Sequence, residues 1–234
     1  IVRRALVLAT NRSTIVDVVY QGFSPVAWGP ITPSTLYYAP GLVGVYEYDP
    51  QQARDLLSSV GFEDTDNDGF LNIGEEALEI TILVPPWSRT PQVAELIQDQ
   101  WRDVGIRVRL QSVPGFNGLI QTISEGEYNL VAFDTSGLDP EFLENYFASE
   151  GPNNWTGFSD PQLDALMEEA VRERDTAVRR RLFTEIQGII MDQVLILPVR
   201  SRVNLNVASS NIEGLRFDAY GWFPILNDVR LREG

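Results

Sequence analysis

Between Leu78 and Asp134 the chain alternates strand-type and helix-type patterns, and this series constrains the fold more than any other feature. "LEITILV" is a β-branched run, and "RTPQVAELIQDQWRDVG" follows with Thr90 as helix cap, Pro91 at the first helical position and Gly105 as the stop. Val93, Leu96, Ile97, Trp101 and Val104 recur at helical spacing and form one apolar stripe, which places Trp101 in the core. "IRVRLQSV" alternates as a strand should, Phe116 to Ser124 reads as a short helix, and "YNLVAFD" closes the series as another strand. Strands separated by helices predict an α/β fold, a largely parallel or mixed sheet flanked by helices.

The flanks are mostly helical. "RRALVLATNRSTIVDVVYQG" predicts two helices broken near Thr10, the second capped by Asn11 and stopped by Gly22, and "YDPQQARDLLSSVG" a third, with Asp49 as cap and Pro50 at its first position. Between them "FSPVAWGPITPSTLYYAPG" carries four prolines and no periodicity, so it predicts an irregular functional or covering segment. Helices follow from Pro161 to about Arg174, capped by Ser159 or Asp160, and from Thr176 to about Gln193. "VLILPV" and "RVNLNVA" read as short strands before an aromatic, irregular tail.

Composition excludes much chemistry. The sequence holds no His, no Cys and no Lys, and all 18 basic residues are Arg. No imidazole relay, thiolate nucleophile, thiolate zinc site, Schiff base or phosphate-loop lysine can be built from it. A net charge of -15 disfavours nucleic acid and anionic lipid, and favours cationic partners and Ca²⁺. The longest apolar runs, such as Ile80 to Val84, fall far short of the roughly 18 residues of a membrane span. The opening "IVRRALVLAT" has no signal-peptide pattern, as a processed protein or an excised piece would lack one.

"DTDNDGFLNIGEE" matches a twelve-residue calcium loop: Asp64 at position 1, Asp66 at 3, Asp68 at 5, Gly69 at 6, the Phe70 carbonyl at 7, Asn72 at 9 and Glu75 at 12. Alternate residues of a tight turn converge on one centre, and a hard cation wants several oxygens at about 2.3–2.6 Å. The bland alternative is an acidic, solvated Asp-Gly turn. A helix enters the loop but a strand leaves it, and no second loop is present, so the motif predicts a structural clip for Ca²⁺ rather than a sensor.

In unbroken order, "VRRALVLATNRSTIVDVVYQG", "YDPQQARDLLSSVGF", the segment from Leu78 to Val113, "GEYNLVAFDTSGLDP", "NNWTGFSDPQLDALMEEA" and "VLILPV" resemble the family 5 extracellular solute-binding proteins, the peptide, dipeptide and nickel-type receptors of ABC importers. The resemblance implies a periplasmic-binding-protein-like lobe of type II, with residues 1–234 as the carboxyl-terminal, ligand-closing lobe of a longer bilobal receptor whose amino-terminal lobe is absent. It further implies an extracytoplasmic location, an ABC permease as partner, a small-molecule or peptide ligand, and weak or no binding by one lobe alone. Peptide-binding members place an aspartate after the "YNLVAF" strand to meet the peptide amine. Ser136 stands at that position here, flanked by Asp134 and Asp139, while Phe133 and Trp155 are aromatic cleft candidates and equally plausible packing residues.

Trp28 and Trp87 are expected to pack, and Arg179 to Arg181 to line a solvated helix face. Two other classes compete with a binding role. A carboxylate hydrolase would use Asp134 and Asp139 or the acidic helix "MEEAVRERD". A calcium-stabilised interaction module would need a paired loop or a groove, and the sequence displays neither.

Overall fold

The computed structural model describes residues 1–135 and 137–232. Helices α1 (Val2–Leu8) and α2 (Arg12–Tyr20) open the chain, and the Asn11 side chain accepts the Thr14 N–H as the cap at the start of α2. α3 (Pro50–Ser59) begins at Asp49, whose carboxylate accepts from the Gln52 N–H, as the sequence predicts. The aspartate loop runs into a small antiparallel pair, β1 (Asn72–Ile73) with β2 (Glu76–Ala77).

The predicted α/β series follows: β3 (Glu79–Val84), α4 (Thr90–Arg102), β4 (Arg107–Ser112), α5 (Phe116–Glu125) and β5 (Leu130–Val131). β3 is central, pairing in parallel with β4 along its whole length and with β5 at Ile82 and Leu83. This main sheet is wholly parallel, and the antiparallel pairs elsewhere form separate sheets. β3 is buried on both faces. Ile80, Ile82 and Val84 enter a core shared with α1 to α4, whereas Leu83 faces a second core with Val113 and Leu119. That two-sided burial explains why β3 is a continuous apolar run.

Trp101 is fully buried in the first core, and its indole N–H donates to Leu6 O (3.1 Å) and Thr10 Oγ1 (2.9 Å), tying α4 to α1. Thr90 is the first residue of α4 rather than its cap. Arg89 occupies the cap position in a left-handed conformation, and the Thr90 hydroxyl instead donates to Trp87 O.

A third core is helical. It unites α6 (Glu144–Phe147), α7 (Pro161–Arg172) and α8 (Thr176–Asp192), with Asp160 capping α7. The proline-rich segment straps this core to the rest. Gln187 accepts from the Ala39 N–H and donates to Tyr37 O, Tyr37 stacks on Phe183 at 5.6 Å, and the Leu36 N–H reaches Leu138 O. Inside the strap, the Arg12 guanidinium lies 4.3 Å over Trp28 and donates to Ala27 O and Tyr46 O. Burial pulls its pKa down to about 10, with Glu47 offsetting part of the shift.

Past α8 the sequence expectation fails in two respects. Neither "VLILPV" nor "RVNLNVA" forms a strand; Arg200 makes only an isolated bridge to Val26. The tail, expected to be irregular, carries two short antiparallel pairs: β6 (Ile212–Glu213) with β9 (Arg230–Leu231), and β7 (Arg216–Phe217) with β8 (Pro224–Ile225). Among the described residues, no helix is long and apolar enough to cross a membrane.

Candidate functional site

The order β4-β3-β5 makes the chain leave β3 toward one side and return on the other. Connections that diverge in this way leave a crevice beyond the carboxyl ends of the strands, the place where open α/β sheets take ligands. Two segments leave the sheet at that edge. One leaves β3 through Pro85 to Arg89, where Ser88 and Arg89 both hold positive φ (53° and 59°). This turn is fixed by the Thr90 N–H and hydroxyl on Trp87 O and by the Tyr20 hydroxyl on Ser88 O (3.0 Å). The other leaves β5 at Val131, and its start is pinned by the Ala132 N–H on Leu83 O.

The second segment carries the predicted cleft residues. Phe133 and Trp155 meet edge to face at 4.9 Å, and Tyr146 of α6 closes the cluster at 5.9 Å from Trp155 and 6.1 Å from Phe133. Such geometry suits aromatic quadrupoles. The Tyr128 hydroxyl donates to Trp155 O (2.8 Å), and burial raises its pKa. Phe133 remains about one-third exposed, so the cluster is not a closed core.

Both aspartates of the segment are engaged. Asp134 accepts from the Arg200 guanidinium at 3.1 Å, and that guanidinium lies 4.3 Å over the Tyr20 ring. Asp139 receives Arg179 through both oxygens (3.0 and 3.1 Å) and accepts the Glu141 N–H, capping a 3₁₀ turn at Pro140–Leu143. Arg179 is therefore not on a solvated face, since it is largely buried among its partners. Ser136 lies outside the described residues. Sequence reasoning missed Tyr146 and Arg200. The first sits on a four-residue helix without periodicity, and the second is 66 residues from its partner, so neither left a local signal.

In the aspartate loop, Asp64, Asp66 and Asp68 bring carboxylate oxygens within 4.8 Å of one another. Gly69 takes φ +89°, the bend that position requires, and a Glu63–Asn72 bridge closes the base of the loop. The carboxylates of Asp64, Asp66 and Asp68 accept the N–H groups of Gly69, Asp68 and Phe70 respectively. Two features depart from the sequence expectation. Glu75 is not part of the gathered set because the β1–β2 hairpin begins before it, and the buried Asn72 turns its amide to donate to Phe70 O. Arg107 adds a guanidinium, pairing with Asp68 at 2.8 Å and lying 4.6 Å over Phe70. The oxygens of the three aspartates fit a hard cation; the completed loop geometry is not formed.

The pattern that defines "Bacterial extracellular solute-binding proteins, family 5 Middle" matches residues 1–156, two-thirds of the chain. The chain belongs to this family. It is 28% identical over 230 residues to a dipeptide-binding protein of Pseudomonas aeruginosa, covering 94% of this chain and 40% of that protein. It is 26% identical over 230 residues to a probable ABC transporter periplasmic-binding protein, SapA, of Escherichia coli, again covering 94% of this chain and 40% of the relative. Among solved structures, HbpA2 of Haemophilus parasuis superposes with a TM-score of 0.83 at 27% identity, over 99% of this chain and 45% of that one. The periplasmic-binding-protein-like fold is thus established. The chain spans about two-fifths of the length of these curated relatives. Family 5 proteins are binding proteins, which sets the frame for the crevice beyond β3 and β5.

Proposed function

We propose that this chain is the ligand-closing lobe of the extracytoplasmic substrate-binding component of an ABC importer, carrying a peptide or a ligand of similar size. The observation that carries the reading is the clustering of Phe133, Tyr146 and Trp155 just past the carboxyl end of β5 in a family 5 fold. Relatives named as a dipeptide-binding protein and as a periplasmic-binding protein of an ABC transporter support the ligand class, the transporter partner and the extracytoplasmic location. One lobe offers half of a site that closes by hinge motion, so binding belongs to the full-length receptor. No catalysis is assigned to it: Asp134 and Asp139, one of the two carboxylate sets a hydrolase could use, serve as ion-pair anchors. Thermal-shift screening of the full-length receptor across dipeptides, oligopeptides, sugars and nickel chelates tests this reading. A shift with peptides and none with sugars supports it; a shift with sugars alone overturns it.

The aspartate loop belongs to the same proposal as a structural Ca²⁺ clip between α3 and β3, held by Asp64, Asp66 and Asp68. Hard oxygen donors gathered on a glycine bend support it. Calorimetry with Ca²⁺ after chelation should give one site, and a flat titration would remove the clip.

A further inference from the structure

Phe133, Tyr146 and Trp155 reach their cluster from two separately packed parts of the fold. Phe133 follows β5 of the parallel sheet, whereas Tyr146 lies on α6 in the helical core. Trp155 travels with α6, because the Asn153 N–H donates to Asn145 O (2.8 Å) and the Asn154 amide donates to Ala148 O (3.0 Å). Gly151 lets the chain fold back this closely, since an added Cβ there would meet Glu144 O at 2.6 Å. The placement of α6 therefore sets two of the three rings. On the sheet side, Trp155 O takes the Tyr128 hydroxyl.

α6 spans only Glu144–Phe147, too short to be stable or oriented by itself. Its direction is set by the 3₁₀ turn Pro140–Leu143 that runs straight into it and is capped by Asp139. Asp139 is where Arg179 of α8 enters. Nη1 and Nη2 of Arg179 donate to the two Asp139 oxygens at 3.0 and 3.1 Å, Nη2 donates also to Glu141, and Nε donates to Ala170 O of α7 at 3.0 Å. The same guanidinium lies 5.3 Å over Tyr37 of the strap and 5.4 Å over Phe183. One side chain thus joins α7, α8, the strap and the turn that aims α6. It is only 15% exposed, and a planar fork of donors is what serves all these acceptors at once.

We propose that Arg179 is a positioning residue of the binding site: without touching ligand, it holds Asp139, the 3₁₀ turn and α6 so that Tyr146 and Trp155 meet Phe133. A ligand then finds the rings already arranged, which removes an ordering cost from binding. The inference rests on reading the aromatic cluster as ligand contact, and it assigns to that site a residue whose spacing in the sequence marked only a solvated helix face.

Two measurements on the full-length receptor test it. The first is calorimetric titration with the peptide that raises its melting temperature most. Arg179→Met should lower affinity about tenfold in the wild-type background and about threefold or less beside Tyr146→Ala, because the two changes act through one ring. The second needs no ligand. With 5-fluorotryptophan incorporated, the ¹⁹F resonance of Trp155, assigned through Trp155→Phe, should move in Arg179→Met while that of Trp101 in the first core stays in place. Arg179→Lys keeps the charge without the fork, so it should change both readings in the same direction by less, and it carries the test where Arg179→Met does not fold. An equal loss of affinity in both backgrounds overturns the proposal, since general loosening would act that way. So does an unmoved Trp155 resonance in the folded variants. A moved resonance in a receptor that binds no peptide leaves the placement by Arg179 standing and removes the importer reading; peptide binding that neither variant alters does the reverse.

Discussion

Single side chains decide whether the three cores hold together. Trp101 is the clearest case, being fully buried with its indole N–H shared between Leu6 O and Thr10 Oγ1. Trp101→Ala should destabilise the fold by about 3–5 kcal/mol, read as a lower urea midpoint. The Asp134–Arg200 pair is partly buried, with side chains 21% and 14% exposed. Arg200→Met strands the carboxylate and should cost about 1–3 kcal/mol, whereas replacing both members should cost less than that single change. The aspartates of the loop predict a ligand-linked effect. At a hundredfold excess over its dissociation constant, Ca²⁺ should stabilise the protein by about 2.7 kcal/mol. Asp66→Asn should erase most of that gain, and an equal Ca²⁺ response in the variant would place the ion elsewhere. At this scale the sequence was half legible. Trp101 announced itself through helical spacing and Asn11 and Asp49 through their caps, but the partners of Asp134 and Asp139 are distant in the chain and left no local trace.

Elements were legible where their stabilising contacts are local or where a partner is present. The strand-helix series around β3 followed from period and caps, and its parallel pairing is what alternating strands and helices produce. β5 proved much shorter than "YNLVAFD" promised, since it contacts β3 at only two positions before the chain turns into the crevice. "RVNLNVA" shows the opposite failure, a strand pattern without a neighbour to pair with. Gly105 links α4 to β4 at φ +84°, and an added Cβ would meet Leu71 Cγ at 2.8 Å. Gly105→Ala should therefore cost about 1–3 kcal/mol through strain and crowding, measurable by chemical denaturation. The β6–β9 pair carries a pH signature. Hydrogen bonds from Arg232 and then Arg230 lower the pKa of Glu213, so its contribution is present above the ordinary carboxylate range and is lost as pH falls through the depressed value. Protection of the Arg232 amide, which donates to Asn211 O across this pair, should fall in acid, after division by the intrinsic exchange rate at each pH, before the three cores loosen.

At the scale of the molecule, a parallel sheet, the helices packed on it and a strap position Phe133, Tyr146 and Trp155 as one cluster past the end of β5. Asp134 and Asp139 are paired with Arg200 and Arg179, so apolar rings and not these carboxylates are left available beside the cluster. The aspartate loop is most conspicuous in the sequence, yet the crevice, assembled from residues far apart in the chain, carries the function proposed here. Calorimetric titration of the full-length receptor with a peptide that shifts its melting temperature, comparing wild type with Trp155→Ala, tests the central claim directly. The account predicts that the variant keeps its fold while affinity falls at least about tenfold, or about 1.4 kcal/mol. Unchanged affinity in the folded variant would contradict it.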